Sequence, residues 1–192
     1  MIEGLIIAAG KSQRTAEKYK MTLDFGGRTL IEKSLASLAP FCVKIIVVTG
    51  YKSQELSVIL QKYPNVEIVF HPAYEEGMFS SIKAGMKQIR GERFFFLPGD
   101  YPLISPTVYQ MLQTVDSEIV LPTFNGQPGH PVLFKKTVIA KILAGSSYGN
   151  LREFIAAHQP AYVAVDCPGI LRDIDTLDDY RETLRLWKSL NS

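Results

Sequence analysis

Four short segments are almost wholly apolar and rich in β-branched or aromatic side chains: residues 2–8, Val43 to Val48, Val66 to Phe70 and Phe94 to Leu97. A strand that is apolar on both faces must be covered on both faces, which is the pattern of a parallel sheet. Between these runs lie segments with helical periodicity at residues 29–39, 53–62 and 80–89. Strand and helix therefore alternate, as parallel strands joined by crossovers require. The second half differs. Ile119 to Pro122 and Pro131 to Phe134 flank the glycine- and proline-containing loop Thr123 to His130, which reads as two strands joined by a loop. The sheet is thus expected to be mixed. Helices near 136–143 and 149–157, a strand at 161–165 and a last helix from Leu177 to Leu190 complete one domain over residues 1–192. Open sheets of this kind bind ligands beyond the carboxyl ends of their strands. The segments to inspect are Ala8 to Lys20, Thr49-Gly50, His71 to Ser81, and Pro98-Gly99-Asp100.

Composition limits the partners. A formal net charge of +2, with no long run of like charges, excludes broad electrostatic binding of nucleic acid or of a membrane surface, so any phosphate affinity must be local. No apolar stretch approaches the ~18 residues of a membrane span. Met1-Ile2-Glu3 enters the first strand with no basic leader, which predicts a cytoplasmic protein. Cys42 and Cys167 lack a Cys-x-x-Cys or histidine-rich context and read as free thiols.

Leu5 to Arg14 is a strand feeding a polyphosphate loop. Ala8, Ala9 and Gly10 let backbone N–H groups approach a ligand, and Arg14 with Lys18 or Lys20 can neutralise its charge. Gly10-Lys11-Ser12 is not the end of a P-loop, because position 5, where that motif needs glycine, is leucine. The spaced glycines of a dinucleotide fingerprint are missing too. Pro98-Gly99 turns the chain so that Asp100 projects from the sheet edge, where it can ligate Mg²⁺ or cap a helix near residue 105. Alternation puts Asp173 and Asp175 on one side of an extended segment with Ile174 opposite. Thr176 or Asp175 can cap the last helix, whose positive end suits Asp178 and Asp179; Ser80 or Ser81 can cap the helix before Met86. His130 is either structural or a hydrogen-bond donor to a phosphate.

Several motifs together resemble a known family. They are Ala8-Ala9-Gly10-x-Ser12-x-Arg14 with a following lysine, Gly26-Gly27-Arg28-Thr29-Leu30-Ile31, Gly77-Met78-x-x-Ser81, Leu97-Pro98-Gly99-Asp100-x-Pro102 and Gly129-His130-Pro131. This set is similar to the MobA/MocA-like nucleotidyltransferases, in particular the molybdenum cofactor cytidylyltransferases. The resemblance implies an α/β fold, a Rossmann-like three-layer sandwich of the nucleotide-diphospho-sugar transferase type with a mostly parallel, mixed central sheet. It implies a nucleotide-binding half at about 1–105, an acceptor side at about 120–160, and transfer of CMP from CTP to a phosphorylated acceptor such as molybdopterin, releasing pyrophosphate. Cytosine is implied over guanine because the loop reads Ala-Ala-Gly. Arg14 and Lys20 would be catalytic, Lys20 matching better than Lys18 on counting back from Gly27. Ala8, Ala9, Gly10, Ser12, Gly50 and Ser81 would bind the nucleotide, and His130 and Arg152 the acceptor. Asp100 and Asp173 would hold Mg²⁺, with Asp175 the alternative second ligand. A molybdoenzyme or maturation protein would be the partner.

The chain departs from the family at Thr15-Ala16, where Met-Gly is usual, and at 145–152, where an acid is lost. Those departures keep two alternatives open: a sugar- or polyol-phosphate nucleotidylyltransferase, and a nucleotide-binding regulator without catalysis.

Overall fold

A computed structural model describes residues 1–11, 19–144 and 148–190. The apolar runs form strands β1 (Ile2–Ala8), β2 (Ile45–Thr49), β3 (Val66–Phe70) and β4 (Arg93–Pro98), parallel to one another in the order β3-β2-β1-β4. Helices α1 (Leu30–Leu38), α2 (Ser53–Leu60) and α3 (Met78–Met86) lie between them in sequence, and α4 (Pro106–Gln113) follows β4. Beyond β4 the direction changes. β5 (Ile119–Phe124), the two-residue β6 (Gln127–Pro128) and β7 (Val132–Lys135) precede α5 (Thr137–Ala144), α6 (Leu151–Ala156), β8 (Ala161–Ala164) and α7 (Leu177–Leu190).

The expected pair of strands around the glycine-rich loop is more elaborate than a simple hairpin. β6 turns back on β5, while β7 inserts between β4 and β5 and runs antiparallel to both. β8 returns parallel to β5. The sheet is mixed, with its parallel part on the amino-terminal side. Val43, included in the expected second strand, lies outside β2 and is 60% exposed.

Two apolar layers sandwich the sheet, and β1 shows how. Leu5 and Ile7 face one core with Ile82 and Met86 of α3, Val138 and Ile142 of α5 and Phe154 of α6. Ile6 and Ala8 face the other with Leu35 and Leu38 of α1, Leu56 and Leu60 of α2 and Tyr109 and Leu112 of α4. Alternate side chains of a strand point to opposite faces, so an unbroken apolar run feeds both cores at once. Phe94, Phe95 and Phe96 are at most 2% exposed, and each contributes roughly 1.5–3 kcal/mol by leaving water. A carboxylate has no place in that run, which is why the first acid follows the Pro98-Gly99 turn.

A third, smaller cluster joins Phe25 and Leu30 to Ile174, with Tyr180, Leu184 and Trp187 of α7 packed on it. It fastens the carboxyl-terminal helix to the loop before α1.

Beyond the carboxyl edge of the sheet, loops approach at backbone distance. A β-carbon on Gly169 would lie 2.0 Å from the Leu103 carbonyl oxygen, and one on Gly129 would lie 2.2 Å from that of Ile170. Gly169→Ala should therefore push apart the loops after β4 and β8. Overpacking of this kind costs about 1–3 kcal/mol, and a lowered urea midpoint with an unchanged slope is the expected result.

Candidate functional site

The register of β1 levels its end with its neighbours, pairing Ala8 with Thr49 of β2 and Ile7 with Pro98 of β4. From β1 the chain steps outward to β2 and β3, and it then returns to β1's other side with β4. The crevice between the ends of β1 and β4 is thus a topological switch point, the standard ligand position of open α/β sheets.

On one side of this crevice is the loop leaving β1. Ala8 and Ala9 are buried, and Gly10 is exposed with open space around it. On the other side is the turn after β4. Ser34 of α1 donates its hydroxyl to the Gly99 carbonyl at 2.9 Å, and Gly99 N–H bonds to Ile7 O at 3.0 Å, so the turn is anchored to two elements. Asp100 projects from it. Helix α4 begins at Pro106 with Ser105 as its N-cap, so Asp100 is not that helix's cap.

Lys20 closes the crevice. It begins a 3-10 turn, Lys20–Thr22, whose preceding Tyr19 donates its hydroxyl to Ala8 O at 2.9 Å. Lys20 Nζ donates to Asp100 Oδ2 at 2.7 Å and to Asp175 Oδ1 at 3.1 Å. Burial alone would lower the lysine pKa, but the charges and hydrogen bonds of Asp100 and Asp175 outweigh it and hold it above the ordinary value. Lys20 is a cation at neutral pH.

The segment before α7 brings the remaining acids. Ile174 is fully buried, its N–H donates to Asp100 O at 3.2 Å, and Asp173 and Asp175 flank it on the other side. Carboxylate oxygens of Asp100, Asp173 and Asp175 all lie within 4.8 Å of one another. Burial first, then the charges of Asp100 and Asp175, push the Asp173 pKa up. Asp100 Oδ1 is buried and has no hydrogen-bond partner among the described residues. An orphaned carboxylate oxygen beside two more carboxylates is a hard-oxygen donor set, and it fits a divalent cation such as Mg²⁺ or Mn²⁺.

Next to the acids opens a cavity of about 730 Å³. Its wall is largely apolar, with Phe79, Phe96, Leu121 and Tyr162, and its polar groups include His130, Asn150 and Arg152. Tyr101 stands at the seam, lining the cavity while interacting electrostatically with Asp173, Asp100 and Asp175, and burial together with those acids keeps its phenol protonated. His130 packs its ring against Phe96 and Tyr101 at centroid distances of 5.5 and 4.9 Å, and its Nδ1 is buried without a partner among the described residues. Burial pushes its pKa down to about 4, so it can offer a phosphate a neutral N–H and no charge.

The other expected residues are distributed as follows. Ser81 is 1% exposed. It does not cap α3, nor does Ser80: the helix starts at Met78 with Gly77 as N-cap, because Gly77 takes a φ of 101° that favours glycine. Ser80 instead donates to Gly77 O at 2.8 Å. Gly50 is packed, since a β-carbon there would lie 2.5 Å from the Tyr74 ring. Thr176 caps α7, accepting from Asp179 N–H at 3.1 Å. Ser12, Arg14 and Lys18 lie outside the described residues. The Lys20–Asp175 bond and the seam position of Tyr101 were not anticipated from sequence. A tyrosine directly after Asp100 was the one available hint.

The arrangement defines the class of the molecule: an α/β nucleotidyltransferase fold of the nucleotide-diphospho-sugar transferase type. It superposes on a nucleotidyl transferase from Methanothermobacter with a TM-score of 0.86 at 20% identity over 99% of both chains. A Mycobacterium tuberculosis protein solved in complex with manganese gives 0.77 at 21% identity over 96% of this chain and 98% of that one. At such identities it is the fold that is shared. By sequence, residues 4–161 match the MobA-like NTP transferase domain. The chain is also 31% identical over 180 residues to the molybdenum cofactor cytidylyltransferase of Escherichia coli, spanning 93% of each. The chain belongs to the MobA-like NTP transferase family and is a nucleotidyltransferase. No helix among the described residues is long and apolar enough to cross a membrane.

A pH dependence follows from His130. The unfolded imidazole titrates near 6.5 and the folded one near 4. The folded state therefore refuses a proton that the unfolded state accepts. This stability contribution is complete above pH 6.5 and is lost as the pH falls through 4. Between pH 7 and 5 the wild type should lose up to about 2 kcal/mol more than His130→Phe, read from urea midpoints.

Proposed function

We propose that the protein transfers CMP from CTP to a phosphorylated acceptor of the molybdopterin type, releasing pyrophosphate. The observation that carries this reading is a buried ammonium and three carboxylates at the switch point between β1 and β4, with the Ala8-Ala9-Gly10 loop on one side and a large apolar cavity on the other.

In the reaction, an oxygen of the acceptor phosphate attacks the α-phosphorus of the nucleotide, the bond to the β-phosphate oxygen breaks, and pyrophosphate leaves. The nucleophile is already anionic, so alignment and charge neutralisation matter more than proton removal. Lys20 would stabilise charge on the α-phosphate, with Arg14 as the proposed second cation. Asp100 and Asp173 would hold a divalent cation, Mg²⁺ in the first instance, which when bound would supply positive charge to offset that of the phosphates. Ala8 to Gly10 would offer backbone approach to the nucleotide, with Ser12, Ser81 and Gly50 the other proposed contacts on the nucleotide side. Arg152 and the neutral His130 would hold the acceptor, whose ring system suits the apolar wall. Cytosine is favoured by the Ala-Ala-Gly loop and by the likeness to the cytidylyltransferase of Escherichia coli.

The test has two parts. Mg-CTP at about 100 times its dissociation constant should stabilise the fold by roughly 2.7 kcal/mol, with GTP, UTP and ATP at the same concentration giving less. With CTP and molybdopterin the wild type should release pyrophosphate, and Lys20→Ala and Asp100→Ala should each cut turnover on the order of 10²-fold or more. Near-wild-type turnover in both variants sinks the assignment; a sugar or polyol phosphate outperforming molybdopterin reassigns the acceptor.

A further inference from the structure

The three acids of the site are not equivalent. Asp100 uses Oδ2 for Lys20 at 2.7 Å and keeps Oδ1 buried and unpartnered among the described residues. Asp175 uses Oδ1 for Lys20 at 3.1 Å. Asp173 makes no bond to the ammonium, although its carboxylate lies within 4.8 Å of the other two. Building on the proposed reaction, on which this inference rests, we propose that Asp175 is a positioning residue that holds the Lys20 ammonium beside Asp100, leaving the cation to Asp100 and Asp173.

Charge supports this division. Among the described residues three carboxylates face one ammonium, leaving two negative charges, which one divalent cation cancels. Asp100 and Asp173 would hold the cation through the oxygen that lacks a partner among the described residues and through the acid that makes no bond to the ammonium. Drawing Asp175 to the metal as well would strip Lys20 of one of its two acceptors, and a lysine side chain only 10% exposed has little water to replace it.

Geometry supports it too. Lysine is a point charge on a flexible four-carbon stem. Held by Asp100 alone, Nζ could swing about one oxygen; two acceptors, 80 and 155 residues distant in the chain, define a position. Asp175 is itself fixed, because its N–H and that of Thr176 both donate to Asp179 Oδ2 in the cap of α7. The path from helix cap to Asp175 to Lys20 is continuous. Misplacing a reacting group by about 1 Å can cost on the order of 10²-fold in rate.

The experiment measures Mn²⁺ affinity by electron paramagnetic resonance and pyrophosphate release from Mg-CTP and molybdopterin, using Asp100→Asn, Asp173→Asn, Asp175→Asn, Lys20→Met and the Asp175→Asn/Lys20→Met double variant. Circular dichroism checks that each is folded. Asp175→Asn should bind Mn²⁺ within about twofold of wild type, while Asp100→Asn and Asp173→Asn lose about tenfold or more. Asp175→Asn should lower kcat about tenfold with little change in KM for CTP. In the Lys20→Met background it should lower kcat no further, because its effect passes through the ammonium. A loss of Mn²⁺ affinity in Asp175→Asn equal to that in Asp173→Asn, or additive losses in the double variant, overturns the inference while leaving the reaction standing. Undiminished Mn²⁺ binding in Asp100→Asn and Asp173→Asn, together with full turnover in Lys20→Met, overturns the reaction and this inference with it.

Discussion

The Lys20 ammonium ties together three stretches of chain: the turn after the first loop, the turn after β4, and the extended segment before α7. Its two contacts are of unequal weight. The Asp100 side chain is 14% exposed, in the range where removing one partner of a pair costs about 3–5 kcal/mol. Asp175 is 34% exposed, nearer the surface regime of about 1 kcal/mol or less. Asp100 therefore anchors the lysine, and Asp175 contributes direction more than energy.

The sheet explains why this cluster sits where it does. Parallel strands covered on both faces leave only their ends for polar chemistry, and the switch between β1 and β4 opens a gap at one point along that edge. β7 enters antiparallel beside β4, and β8 then returns parallel to β5 after α5 and α6. Loops and helices from this half, together with α3, β4 and β5, line a cavity that meets the acids at Tyr101. The charged half and the apolar half of the site thus fall on the two sides of the same strand, β4. Close contacts between backbones at Gly129 and Gly169 hold the two halves in register.

Much of this was legible before any coordinates. The unbroken apolar runs of β1 to β4 specified a sheet buried on both faces, and the proline-glycine turn after Leu97 placed an acid at its edge. The alternation around Ile174 set Asp173 and Asp175 on one side, and Thr176 read correctly as a cap. The misreadings have local causes. Ser80 and Ser81 looked like caps because serine favours that position, yet Gly77 takes it with a backbone conformation that a side chain would strain. Val43 looked like strand because it is β-branched, but β2 starts only at Ile45, and Val43 keeps one backbone bond to Ile2 O with its side chain 60% exposed. The β5 to β7 region read as two strands and a loop because β6 is only two residues long and the insertion of β7 beside β4 leaves no mark in composition.

Patterns that repeat every two or every three to four residues are properties of neighbours along the chain, and so are motifs whose spacing is written in the residues themselves. They determined the layered α/β class, the position of the small-residue loop after β1 and the candidate acids without reference to any fold. Which carboxylate receives the lysine, and that a loop histidine is neutral because aromatic rings enclose it, depended on how loops far apart in sequence meet. Those facts come from desolvation and from hydrogen-bond geometry across separations of 80 and 155 residues, and only the folded chain sets either.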